Sequence, residues 1–231
     1  MPQPSLSELK SLIDVVLDSI DPNTAVYLNR NTADSAYAGY VFTLVLRAAQ
    51  RIADPNSVIL NSAQSGPQNP PPPSVFVIRG APGALYSNTQ DFGFAVFKYK
   101  GKDYEIHLGV QYRGSSDVLH EFDISVIPNK DANESRKSKK PPGPGKPSAV
   151  FECKFYDKNL GIELGREFVG LQSDFTSVPI ARLVTNSDSD SVALFLKKNN
   201  RPKMSRHIEP GNANMETEFV YAVADELRNS L

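Results

Sequence analysis

The sequence predicts a mixed α/β (α+β) domain, a central mixed β-sheet flanked by helices. Three observations predict it. Residues 1–60 carry apolar side chains at helical spacing. Residues 74–127 carry them in alternation between short turns, the mark of an antiparallel meander. From residue 149 to 231, strand-like and helix-like segments alternate, as in α/β packing. With 231 residues the chain reads as a single domain, 1–231.

Each element has its own signal. Leu9, Leu12, Val16 and Ile20 recur at helical spacing, and Ser5 with Glu8 forms a capping-box pattern, so a helix is expected over residues 5–20. Asp21-Pro22-Asn23 ends it. A second helix is expected from Thr32 or Ala33 to Ala53, stopped by Asp54-Pro55-Asn56. Gly39 inside it costs about 1 kcal/mol of helix propensity, which suggests close packing there. Ser65–Pro73 reads as a polyproline spacer. Strands follow at residues 74–79, 92–98, 104–110 and 119–127. Residues 128–148 read as a flexible basic loop, rich in Pro and Gly, with Lys130, Arg136, Lys137, Lys139, Lys140 and Lys146 against Asp131 and Glu134. Beyond it, a strand is expected at 149–156, a helix at 162–174, a buried strand at 180–186, a helix at 191–198, a short strand at 207–210 and a helix at 215–227. Phe219, Val220, Val223, Ala224 and Leu227 give that last helix an apolar face, for the core or for a second copy of the chain.

Composition excludes several classes. Net charge is −1, so any nucleic-acid binding must come from local patches. One cysteine rules out an internal disulfide framework and a multi-cysteine zinc site. Met1-Pro2-Gln3-Pro4-Ser5 does not read as a signal peptide, and no apolar run has the length of a membrane span. A cytoplasmic location, without membrane, is the default expectation. Walker-type, H-E-x-x-H and G-x-S-x-G patterns are absent.

Two segments carry the chemistry. In Leu119–Ile127, Glu121 and Asp123 share one strand face, with Phe122, Ile124 and Val126 on the other. In Ala149–Tyr156, Glu152 and Lys154 share a face opposite Phe151, Cys153 and Phe155. Pairing of the two strands would bring three carboxylates and a lysine together. Such carboxylates repel unless a cation lies between them, and a hard, oxygen-seeking ion fits.

Over residues 100–186 this arrangement resembles the PD-(D/E)xK, or restriction-endonuclease-like, nuclease superfamily, with Asp123 as the first acid and Glu152-Cys153-Lys154 as the acid-x-Lys triplet. The resemblance implies a restriction-endonuclease-like core and a metal-dependent nuclease acting on DNA, with RNA not excluded. A bacterial defence (antiviral) or repair system is its expected setting. Asp123, Glu152 and the Cys153 backbone carbonyl would hold Mg²⁺ or Mn²⁺, and Lys154 would orient water or steady phosphate charge. Glu121, Glu105, His107 and Arg166 are further candidates, and Arg136, Lys137, Lys139 and Lys140 are candidate phosphate contacts. Many members add an acid from the helix before the meander; here only Asp34 is available. The other functional class is a catalytically silent module that binds nucleic acid or a partner protein. With no reader domain in sight, a partner subunit or a homodimer would supply specificity.

Overall fold

The computed structural model describes residues 4–22, 24–63, 75–89, 91–175, 178–198 and 203–231. Ser65–Pro73, expected as a spacer, lies outside them. The described residues contain six helices: α1 (Leu6–Asp18), α2 (Ala33–Gln50), α3 (Asn129–Ser138), α4 (Ile162–Ser173), α5 (Asp190–Lys198) and α6 (Ala213–Ser230). The strands are β1 (Ala25–Leu28), β2 (Ile59–Ser62), β3 (Val75–Ile78), β4 (Gly93–Tyr99), β5 (Lys102–Arg113), β6 (Leu119–Pro128), β7 (Ala149–Lys154), β8 (Ile180–Thr185) and β9 (Lys203–Ser205).

Seven strands form one mixed sheet in the order β2-β4-β5-β6-β7-β8-β9, and β1 pairs with β3 in a separate parallel pair. Pairing is antiparallel from β2 to β7 and parallel from β7 to β9. This follows the connections: tight turns join the meander, while α4 and α5 supply the crossovers that parallel strands need. One core lies between the sheet and α1, α2 and α6, and holds Ile13, Phe42, Ile106, Ile124, Phe151 and Val223. A second lies on α4 and α5, and holds Val110, Phe122, Val150, Phe168, Leu183 and Val192.

Local signals explain several elements. The Ser5 hydroxyl accepts from the Glu8 N–H, and Glu8 Oε2 accepts from the Ser5 N–H, so the capping box forms. Gly39 lets α2 cross closely: a Cβ there would lie 2.6 Å from Ile78 Cδ1 and 2.9 Å from Ile13 Cδ1.

Other elements differ from the expectation. The basic segment is no loop in its first half; Asn129–Ser138 is helical. It has no apolar stripe, only Ala132 and Ser135 being buried, so periodicity gave no warning. Ion pairs and hydrogen bonds hold it instead: Arg136 and Asn129 reach Glu105, and Lys146 folds back on Asp131 and Glu134. The last short strand is Lys203–Ser205, not 207–210, where Ile208 is buried and its N–H meets the Thr185 carbonyl. Strands β1 and β2, four residues each, have too few residues for a readable period.

The two inner strands also break their own alternation. Leu108 and Ile124 join the first core, while Val110 and Phe122, of the same parity, join the second. Phe122 therefore does not share the face of Ile124 and Val126. Gly109 lies between, with φ of +57°, a conformation that suits glycine. Its carbonyl leaves the ladder to accept from the Gly83 N–H and from Arg79. The β5–β6 register continues on both sides but skips Gly109 and Asp123, which face each other.

Candidate functional site

Strands β6 and β7 are neighbours, paired Val126↔Ala149, Ser125↔Val150 and Ile124↔Phe151. The pairing stops there. The next position on each strand is Asp123 and Glu152, so both acids stand where the two strands begin to part. Asp123 has also lost its partner on β5. Its Oδ2 fills the fork and accepts from the Cys153 N–H at 2.7 Å. The side chain thus replaces a ladder hydrogen bond that the parted strands no longer make.

Lys154 Nζ lies 2.8 Å from Glu152 Oε1, with the two side chains 25% and 18% exposed, so the pair is shielded yet reachable from solvent. Glu121 is partly buried and close enough to feel Glu152 and Lys154. Burial, then the Glu152 charge, pushes the Asp123 carboxyl up to about 8; the Cys153 N–H and Lys154 only partly offset this. Burial and Glu152 likewise push Glu121 up to about 6. Burial pulls the Lys154 ammonium down, but Glu152 and Asp123 outweigh it and hold it firmly charged. Three carboxylates therefore share one close lysine, and the site has more negative charge than it can neutralise.

The other expected residues fall elsewhere. Glu105 and His107 are fully buried on β5, opposite Ile127 and Ser125 of β6. Glu105 accepts from Arg136 at 2.9 and 2.5 Å and from Asn129 at 2.7 Å, and meets His107 Nε2 at 2.6 Å. Burial would raise its carboxyl, but the His107 and Arg136 bonds pull it down to about 2. Arg136 is thus committed inside the protein, while Lys137, Lys139 and Lys140 are exposed. Arg166 is exposed on α4, and Asp34 is exposed in the first turn of α2. The α2 side chain that does come to the end of β7 is Tyr37, stacked on Phe155 at 4.8 Å.

Arg79 was not singled out by the sequence. It follows β3, donates to the Gly109 and Ala84 carbonyls, lies 3.4 Å over the Phe92 ring, and is felt by Glu121. No sequence pattern marks it, since Gly109, Phe92 and Glu121 come from other segments and only Ala84 is near in the chain.

Comparison of the sequence with protein-family models, with characterised proteins and with solved structures gave no match. No helix among the described residues is long and apolar enough to cross a membrane. Nor do three or more His, Cys, Asp or Glu side chains form a ready-made metal cage among them.

Proposed function

We propose that the protein is a metal-dependent nuclease of the PD-(D/E)xK type, built on a restriction-endonuclease-like core, and that DNA is its substrate. The observation that carries this reading is the forked end of β6 and β7, where Asp123 and Glu152 stand side by side with too little positive charge.

The donor set suits a hard divalent ion. Asp123 and Glu152 offer carboxylate oxygens, and the Cys153 backbone carbonyl lies between them in sequence. Mg²⁺ takes few protein oxygens and keeps its waters, so two carboxylates and a carbonyl suffice. Such an ion, Mg²⁺ or Mn²⁺, supplies a Lewis acid for a phosphate oxygen and a more acidic bound water. The chain does the rest. Oδ2 of Asp123 and Oε1 of Glu152 are engaged by the Cys153 N–H and Lys154, so the other carboxylate oxygens, Oδ1 and Oε2, are the ones that would hold the ion. Lys154, held charged, donates to the negative charge that builds on the phosphate. Glu121 adds a third acid at the strand entrance. The exposed Lys137, Lys139 and Lys140 contact the backbone of the nucleic acid beyond the scissile phosphate.

One observation favours the catalytically silent module: Glu152 is already paired with Lys154. Activity separates the two readings. Purified protein is incubated with plasmid, linear and single-stranded DNA and with RNA, in Mg²⁺, Mn²⁺ or EDTA, beside Asp123→Asn and Lys154→Ala. The nuclease reading expects cleavage with either metal and none with EDTA or either variant. Cleavage that survives EDTA and both substitutions would overturn it, and binding without any cleavage would favour the silent module.

A further inference from the structure

We propose that Tyr156 is a stacking platform for an unpaired nucleobase beside the Asp123–Glu152–Lys154 cluster, which makes single-stranded or locally unpaired nucleic acid the preferred ligand. This rests on the nucleic-acid reading of the site and narrows its substrate class.

Tyr156 follows Lys154 by two residues and is 43% exposed, although it is a large aromatic side chain. Its backbone is fixed on both sides. Its N–H donates to Asn186 Oδ1 at 2.9 Å, and its carbonyl accepts from Asn186 Nδ2 at 3.0 Å. Asn186 is itself buried, at 7% exposure, so both ends of a buried amide serve this one exposed residue. The preceding residue is fixed too. Phe155 packs against the helical core and stacks on Tyr37, whose hydroxyl donates to the Ile208 carbonyl at 2.8 Å. β7 ends at Lys154, opposite Thr185 of β8, and the two bonds to Asn186 keep Tyr156 beside that strand end. The Lys154 ammonium feels the phenol, which agrees with that placement.

An exposed ring on a rigid backbone stacks at low entropic cost. Stacking on a nucleobase tolerates any sequence, because every base has a π-face. A base inside a duplex has both faces covered by its neighbours, so the platform can accept only a base that is unpaired or terminal. Tyr156 lies two residues beyond Lys154, a span of at most about 7 Å. A nucleotide can therefore place its phosphate at Lys154 and its base on Tyr156.

The test is fluorescence anisotropy in EDTA, with the full chain and two ligands, labelled oligothymidine and a relaxed, covalently closed duplex circle without loops or ends, each alone and in competition. Tyr156→Ala should weaken oligothymidine binding about five- to 150-fold. Tyr156→Phe and Tyr156→Trp should retain it, and binding of the closed duplex should be unchanged. Melting temperature should not move, since the ring is exposed. The inference fails if Tyr156→Ala binds oligothymidine like the parent, if both ligands weaken alike, or if the parent binds no single strand. A cleavage arm separates it from the nuclease reading. Asp123-dependent cleavage of single strands with an unchanged KM in Tyr156→Ala sinks the platform alone. Tyr156-dependent binding with no metal-dependent cleavage sinks the nuclease alone.

Discussion

Two acids on adjacent strands, Glu105 buried and Asp123 half-buried, meet opposite fates. Glu105 on β5 is enclosed by Arg136, His107 and Asn129, and its carboxyl is held down at about 2. Asp123 on β6 has one N–H donor, an acidic neighbour and a lysine already shared with Glu152, and its carboxyl is pushed up to about 8. Both are carboxylates in the same sheet. What differs is the supply of positive charge. A carboxylate whose oxygens are all answered serves the fold. A carboxylate left short of partners marks a candidate functional site.

The largest expected effect concerns the satisfied acid. Glu105→Ala leaves the Arg136 guanidinium and His107 without their carboxylate and should cost about 3–5 kcal/mol in urea unfolding. A loss below about 1 kcal/mol would mean that Glu105 is no structural keystone, and the contrast with Asp123 would collapse.

Asp123→Asn should do the reverse. The amide still accepts from the Cys153 N–H, but the repulsion from Glu152 is gone. Stability should rise by about 1–2 kcal/mol, as often happens when a strained functional group is removed, while metal-dependent cleavage disappears. A destabilised Asp123→Asn would show that the acid is already compensated.

The pH dependence sharpens the comparison, because the two acids have opposite signs. The folded pKa of Glu105 lies below its ordinary value of 4.5, so its contribution is present above that pH and is lost as pH falls towards about 2. The folded pKa of Asp123 lies above its ordinary value of 3.8, so the native state binds the proton more firmly than the unfolded chain does. Its ionisation therefore erodes stability as pH rises from there to about 8. The stability gap between Asp123→Asn and the parent should widen over that window and level off above it. Calorimetric melting at a series of pH values reads this out, and a gap that stays constant with pH would break the assignment.

The smallest effect belongs to the basic segment. Replacing Lys137, Lys139 and Lys140 by Ser should change stability by no more than about 0.5 kcal/mol. The slope of log K against log[salt] for nucleic acid should flatten by about 0.7–0.9 per lost phosphate contact. Arg136→Ser belongs with Glu105→Ala instead, because its guanidinium lies in the Glu105 network. An unchanged salt slope would make α3 a purely structural helix.

Much of this was legible in the sequence, for local reasons. The Ser5–Glu8 capping box, the apolar spacing of α2 and α6, and the strand character of β4 to β8 all depend on neighbours along the chain. So does the placement of Asp123, Glu121, Glu152 and Lys154 on two candidate partner strands. Chain-local patterns did not reveal α3, whose helix is held by ion pairs to a distant strand rather than by an apolar stripe. Glu105 and His107 read as site candidates because alternation shows only which residues share a face, not what covers that face.

The sequence by itself determined which residue types stand on which strands, since side-chain periodicity is a property of the backbone. Only the tertiary structure decided how each carboxylate is neutralised. Arg136 arrives at Glu105 from 31 residues away. Gly109, at its positive φ, and the end of the β6–β7 pairing together leave Asp123 at an open fork. Charge acts through space in a medium of low dielectric, so the balance of partners around an acid exists only once the chain has folded.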